Sequence, residues 1–330
     1  MRKFAAILLA SAFVVSVAAC SDLPAEVQGC VPTYTSGPAS KAISANGDFG
    51  NNPDAKVPTP TITKRVEVST LTKGKGLLLG KHDVADIQLS LYTAADGKLV
   101  GSTGSESGYA RSSELQADVG SSTNAISRSL MCQRVGTRVV SVLTAAQYFG
   151  TASEATSNGI DPKTVIVAVS DIMKGYRGRA TGILQPLQSG FPSVVTSGDG
   201  TPGLTLDLQE PPKTLQYEVV RGGSGAKVKA GQQVLLQVQG VEWSDPAPTT
   251  TFDSTWTSHT PRYYKLTALA KNKDGQFLDK GSVKALVGQR VGSQVLVVVP
   301  PKDGYPKGKA PSGYPATSTL IFVYDILGTY

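Results

Sequence analysis

The residues of this 330-residue chain that could carry chemistry are few: His82 and His259, Cys20, Cys30 and Cys132, a Phe252-Asp253 pair, and the turn from Pro300 to Tyr305. Two histidines leave little room for a Ser-His-Asp triad or a multi-histidine metal site, and both read as loop bystanders. The cysteines show no C-x-x-C spacing, which supports neither a zinc ribbon nor a thioredoxin-like redox centre. What remains is an acid, a phenol and aromatic rings; no metal and no cofactor are expected.

Lysine and arginine number 32 against 25 acidic residues, a formal charge of +7 that is spread thinly. No basic run is interleaved with aromatics, and the densest cluster, Lys302, Lys307 and Lys309, falls in a Gly/Pro loop, so no nucleic-acid partner is expected. A hydrophobic content of 40% with 17% charged residues is globular, and 35 glycines and 20 prolines imply many turns. The length suits two domains, each with its own core.

The elements that must position these residues are strands. Residues 231–238 and 291–299 run or alternate apolar in strand fashion, and the best short helix is Gly281 to Leu286. An internal repeat is visible. Gln133-Arg134-Val135-Gly136 and Gln289-Arg290-Val291-Gly292 each open the same order, a short strand, an excursion and a closing strand that carries Asp171 or Asp325. Gly74-Lys75-Gly76 and Gly223-Ser224-Gly225 mark equivalent turns upstream.

Arg2 and Lys3 precede an apolar run, Ala5 to Val17, that is too short to span a bilayer and reads as an export signal covering 1–19. Its end, Val17-Ala18-Ala19-Cys20, resembles a bacterial lipobox, which implies a diacylglycerol on Cys20 and a lipid-anchored protein on the extracytoplasmic face of the cell membrane. The alternative is an ordinary signal cleaved nearby. Residues 20–60 have the composition of a flexible stalk, and 174–211 that of a linker that docks on its neighbours. In an oxidising compartment Cys30 and Cys132 form an even pair, either a disulfide or two reduced, buried thiols.

Four motifs in one order carry a resemblance. Phe252-Asp253-Ser254, Leu286 through Gly292, Val299-Pro300-Pro301 through Tyr305, and Thr319-Leu320-Ile321-Phe322 together make 214–330 resemble the FKBP-type peptidyl-prolyl isomerase family. The resemblance implies an α+β fold of two FKBP-like domains, each an antiparallel sheet wrapped around one short helix: a degenerate one at 61–173 and an isomerase-like one at 212–330. It implies rotation about X-Pro bonds in segments of exported proteins, with a non-catalytic binding or chaperone module as the alternative.

By the same resemblance Phe252 and Phe322 are pocket walls, Tyr305 offers its hydroxyl to the peptide carbonyl, Asp253 is the rim carboxylate and Tyr264 is a further wall. On residue type alone Phe322 reads as core and Asp253 as a turn residue. The family's floor tryptophan falls at Ser282, its Val-Ile pair near Leu278 and Asp279, and its strand tyrosine at Val238. The floor is therefore expected to be missing, unless Trp243 or Trp256 refills it. In the first domain Val100-Gly101 match Phe252-Asp253, Val167 matches Phe322, and Tyr148 or Phe149 matches Tyr305, so no isomerase rim is expected there.

Overall fold

A computed structural model of the chain describes residues 30–103, 115–120, 124–186, 188, 190–206, 210–243, 250–272 and 275–330. The export signal and Cys20 lie outside the described residues. Among the described residues no helix is long and apolar enough to cross a membrane.

Two large antiparallel sheets of matching connectivity, with two small two-stranded sheets beside them, make up the fold of the described residues. In chain order the first half contains α1 (Pro38–Lys41), β1 (Ser44–Asn46), β2 (Asp54–Lys56), β3 (Glu67–Thr72), β4 (Val84–Thr93), β5 (Leu99–Ser102), β6 (Leu115–Asp118), α2 (Ala125–Ser129), β7 (Arg138–Thr144), α3 (Ala145–Phe149), α4 (Ala152–Ser157) and β8 (Val165–Tyr176). The second contains β9 (Ile183–Leu184), β10 (Ser193–Thr196), β11 (Pro202–Thr205), β12 (Gln216–Gly222), β13 (Gln233–Glu242), β14 (Thr251–Ser254), β15 (Arg262–Lys265), α5 (Lys280–Leu286), β16 (Gln294–Val299) and β17 (Leu320–Thr329).

Strand order is β3-β7-β8-β4-β5 in one sheet, with β6 also on β4, and β12-β16-β17-β13-β14 in the other, with β15 also on β13 and β9 added at the edge. The repeated tetrapeptide has a structural role in both, since Arg134 bridges to Leu78 and Arg290 to Lys227. Gly74 and Gly223 make this closeness possible. A Cβ on either would lie within 2.4 Å of a carbonyl oxygen, that of Val135 or Val291. The tight turn before the tetrapeptide needs left-handed backbone, which Gly288 supplies at φ 90 and Cys132 at φ 64. The cysteine tolerates it at a cost of about 1–2 kcal/mol, and is fixed there by its disulfide to Cys30.

Strands β7 and β16 are buried almost throughout because both faces of each sheet are covered. They accordingly read as continuous apolar runs rather than alternating ones. On the second sheet Val295, Val297 and Val299 join the cluster around α5, and Leu296 and Val298 join Phe191, Val194 and Leu204 on the other face. Each such side chain contributes about 1.5–3 kcal/mol of burial.

The cover of that outer face is the β10/β11 hairpin, so the expected linker docks through a small structure of its own. The first sheet has the same device. Residues 30–60 are not a bare stalk: α1 and the β1/β2 hairpin bring Ile43, Ala45, Ala55 and Val57 against Val140, Val142, Val167 and Val169. One short helix per sheet is not found on the first sheet either, which carries α2, α3 and α4. Residues 145–157 contain no proline and start helices on the caps Thr144 and Thr151, whereas the matching excursion 300–319 of the second sheet is proline-rich and cannot.

A buried carboxylate ties each sheet to a segment of chain outside it. Asp171, on β8 opposite Arg138 of β7, accepts from Gly50 N–H at 2.7 Å and from the Arg138 guanidinium at 2.6 and 2.7 Å. Asp325, on β17 opposite Gln294 of β16, accepts from Ala180 N–H at 2.7 Å and from Gln294 Nε2 at 2.8 Å. Without a paired arginine, burial pushes the Asp325 carboxyl up to about 6. An acid whose pKa rises on folding contributes stability below its unfolded value near 3.8 that is lost as pH rises through 6. Asp325→Asn keeps an acceptor for Ala180 and offers a donor to Gln294 Oε1, which is buried with no partner among the described residues. It is expected to raise stability by about 2 kcal/mol at pH 8 and to change it little at pH 4, read from urea midpoints at the two pH values.

The two histidines lie on loops, as expected, and meet each other. His82 and His259, each at positive φ, bring their rings to a centroid distance of 3.9 Å where the two sheets meet. Burial, then the neighbouring His259 and Lys81, hold His82 down at about 4, against the pull of Asp199. The unfolded chain, with its histidine near 6.5, takes up this proton first, so stability falls as pH drops from 6.5 to 4. The loss is expected to be roughly 1 kcal/mol once solvent screening is allowed for, and to shrink in His82→Gln when unfolding is compared at pH 7.5 and 4.5.

Candidate functional site

The site grows from the inner face of the second sheet. Alternation along β17 sends Leu320, Phe322, Tyr324 and Ile326 to one side, and all four are buried in the cluster beneath α5 together with Val238 of β13, Tyr264 of β15 and Leu278. Gly240, opposite Phe322 in β13, leaves room for two rings to meet: a Cβ there would lie 2.9 Å from Phe252 and 3.1 Å from Phe322. Phe252 meets Phe322 edge-on at 5.6 Å, and Phe322 stacks on Tyr324 at 5.4 Å.

Tyr305 closes another side. It follows the short 3-10 turn Pro301–Asp303, is 5% exposed, and meets Phe277 edge-on at 5.6 Å. Its hydroxyl donates to the Phe277 carbonyl at 3.1 Å. Burial, then the charge of Asp279, pushes its pKa well above the ordinary tyrosine value, which keeps it a donor. Asp253 on β14 is 9% exposed and has both oxygens engaged: Oδ1 pairs with Arg262 Nη1 at 2.8 Å, and Oδ2 accepts from the Tyr314 hydroxyl at 2.5 Å. Arg262 also donates to the Tyr264 hydroxyl at 3.3 Å.

Tyr314 is the residue that sequence reasoning missed. It lies in the Gly/Pro loop before β17, with its ring 4.7 Å from Phe252 and 5.6 Å from Tyr305. Its hydroxyl also reaches Gln276 Oε1 at 3.3 Å. The one available signal was an aromatic residue flanked by Gly313 and Pro315 in a loop otherwise rich in lysine and small residues.

Ser282 does not leave a missing floor. The serine is fully buried, donates to Asp279 Oδ2 at 2.6 Å, and accepts from the Tyr324 hydroxyl at 2.9 Å. The phenol of Tyr324 occupies the space under Phe322. Asp279 is the cap of α5, receiving Ser282 N–H at 2.8 Å, and burial raises its pKa despite those bonds. Neither tryptophan refills the basin: Trp243 packs on the outer face of the sheet, and Trp256 lies beside Gly200.

The same positions of the first sheet differ. Gly240, Phe252, Asp253 and Phe322 correspond in register to Leu91, Val100, Gly101 and Ala168. Val167 is thus one residue off as the match of Phe322 and points to the outer cluster with Val140 and Val142. A shift of one residue in a strand changes the face. Tyr148 and Phe149 sit on α3 and meet edge-on at 5.0 Å.

Residues 224–327 match the sequence profile of the FKBP-type peptidyl-prolyl cis-trans isomerase family, so this stretch is an FKBP-type domain. FK506-binding protein 4 of Mycosarcoma maydis is 36% identical over 111 residues, which cover 34% of this chain and 26% of that protein; the chain spans about a quarter of the length of that curated relative. Among solved structures, FkpA from Escherichia coli is 26% identical with a TM-score of 0.29, covering 43% of this chain and 52% of that one. The three FKBP domains of wheat FKBP73 are 14% identical with a TM-score of 0.32, covering 80% of this chain and 94% of that one.

Proposed function

We propose that the chain is a peptidyl-prolyl cis-trans isomerase acting on proline-containing segments of exported proteins, held to the extracytoplasmic face of the cell membrane by a lipid on Cys20. The observation that carries the activity is the ring of Phe252, Tyr305, Tyr314 and Phe322 around the Asp253 carboxylate, inside the stretch that matches the family. Rotation about an X-Pro bond crosses a barrier of about 18–20 kcal/mol because amide resonance must be broken. A twisted amide is less dipolar than a planar one, so an apolar basin that strips water from the amide favours the transition state over the planar ground state. Tyr305 and Asp253 supply the polar contacts that orient the peptide carbonyl at the rim. No nucleophile is consumed.

The first sheet, with Gly101 in place of the carboxylate and Ala168 in place of a ring, is a non-catalytic copy that serves spacing or client binding. A second reading, a binding or chaperone module without efficient catalysis, is favoured by one feature: Asp253 and Tyr305 already spend their polar atoms inside the chain. A protease-coupled isomerisation assay on the mature chain separates the two. A rate above buffer that falls in Asp253→Ala supports the isomerase. A buffer rate combined with suppressed aggregation of a refolding client supports the module. For the anchor, mass spectrometry of the membrane fraction is expected to find diacylglycerol on Cys20, and Cys20→Ser is expected to be soluble.

A further inference from the structure

A cleft of about 610 Å³ opens on the first half of the chain, between the N-terminal cover, α2 and the start of α4. Tyr34, Arg65 and Arg128 line it together with Lys64, Gln147 and Thr151, and none of its lining residues is acidic. The acid nearest in sequence to Lys64 and Arg65 is Glu67. It is buried and turned inward, accepting from Ser40 N–H at 3.0 Å. Arg128 is half-buried with its guanidinium 5.2 Å from the centroid of the Tyr34 ring. The Arg65 guanidinium donates to the Thr35 hydroxyl at 3.4 Å. Among the described residues none of the three cations is ion-paired.

A concavity that gathers three cations and excludes carboxylates selects for negative charge. Guanidinium forks match carboxylate geometry, and stacking on Tyr34 holds one of them in place. The volume is in the range that takes an organic ligand rather than a lone ion. One wall, residues 33–35, lies beside β3, with Thr35 O accepting from Val68 N–H at 3.0 Å. We infer that this cleft binds an acidic, extended peptide segment through carboxylates that engage Arg65 and Arg128. The choice of a peptide over another anion rests on the reading that the chain handles unfolded clients; the charge preference does not.

The test uses the mature chain and a fluorescein-labelled, proline-free Asp/Glu-rich oligopeptide, with a Lys-rich peptide of the same length as its control. Because the probe lacks proline, the result is independent of whether the aromatic basin is active. Expected is salt-dependent binding of the acidic peptide alone, weakened at least tenfold in Arg128→Gln and in the exposed pair Lys64→Gln/Arg65→Gln, with the isomerisation rate unchanged. The pair guards against a fold defect in the Arg128 variant, and thermal midpoints check both. Equal binding of the two peptides, or unchanged affinity in both variants, overturns the proposal. So does displacement of the probe by inorganic phosphate or by phosphatidylglycerol vesicles at charge concentrations equal to that of the acidic peptide, which would mark a small-anion or membrane site instead.

Discussion

Tyr314→Phe is expected to raise kcat/KM for X-Pro isomerisation about tenfold. Its hydroxyl bonds to the Asp253 carboxylate at 2.5 Å while its ring rests on Phe252. A peptide that is to use the Asp253 rim must first displace this phenol, and a hydrogen bond to a charged group is worth about 1.5–3 kcal/mol. Removing the hydroxyl while keeping the ring frees the carboxylate and preserves the wall, and 1.4 kcal/mol is a factor of ten. Tyr314→Ala is expected to free the rim as well but to raise KM, since a wall is lost. Burial, then the Asp253 charge, pushes the phenol's pKa far above its ordinary value, so raising the pH of the assay leaves the plug in place. A fall in kcat/KM in the phenylalanine variant would show that Tyr314 works with the substrate, not against it.

Arg138→Met is expected to cost about 3–5 kcal/mol of stability, because it strands the Asp171 carboxylate in the interior. The pair is almost wholly buried, at 4% and 0% side-chain exposure. The loss reaches further than one ion pair. The same guanidinium donates to the carbonyls of Ala45, Gly47 and Asp48 at 3.3, 3.0 and 3.0 Å and so clamps the N-terminal cover to the sheet. Hydrogen exchange is therefore expected to lose protection first in residues 44–56, ahead of β7 and β8. Arg138→Gln, which copies the Gln294–Asp325 arrangement of the second sheet, is expected to recover part of the loss. Unchanged urea midpoints in both variants would mean that the cover is held by its apolar contacts alone.

These two sites show what could be read from the sequence and what could not. The repeat was legible because Gln-Arg-Val-Gly recurs at a bridge where a glycine must approach a backbone carbonyl, and few sequences satisfy that packing. The roles of Asp171 and Asp325 were visible only as a matching position, because nothing in the pattern says that each receives a distant backbone N–H. The covers were read as stalk and linker for a physical reason. Strands of three or four residues with Asn, Pro and Gly around them bury few side chains each, and their stability comes from the sheet beneath. The walls Phe252 and Phe322 could be placed from motif order. Tyr314 could not, because a loop sets its direction, whereas Tyr324 is legible as the residue two after Phe322 on the same face of β17. The gap expected at Ser282 is filled from the strand below the helix, by Tyr324, which the helix position alone does not reveal.

The activity proposed for the aromatic basin around Asp253 is isomerisation of X-Pro bonds. The direct measurement is NMR exchange spectroscopy of an Ala-Pro-Phe peptide mixed with the mature chain, which observes cis and trans signals without a coupling protease. Exchange is expected to be faster than in buffer, faster still with Tyr314→Phe, and slowed toward the buffer rate by Asp253→Ala. Exchange at the buffer rate in both the unaltered chain and Tyr314→Phe, with both proteins folded, would contradict it.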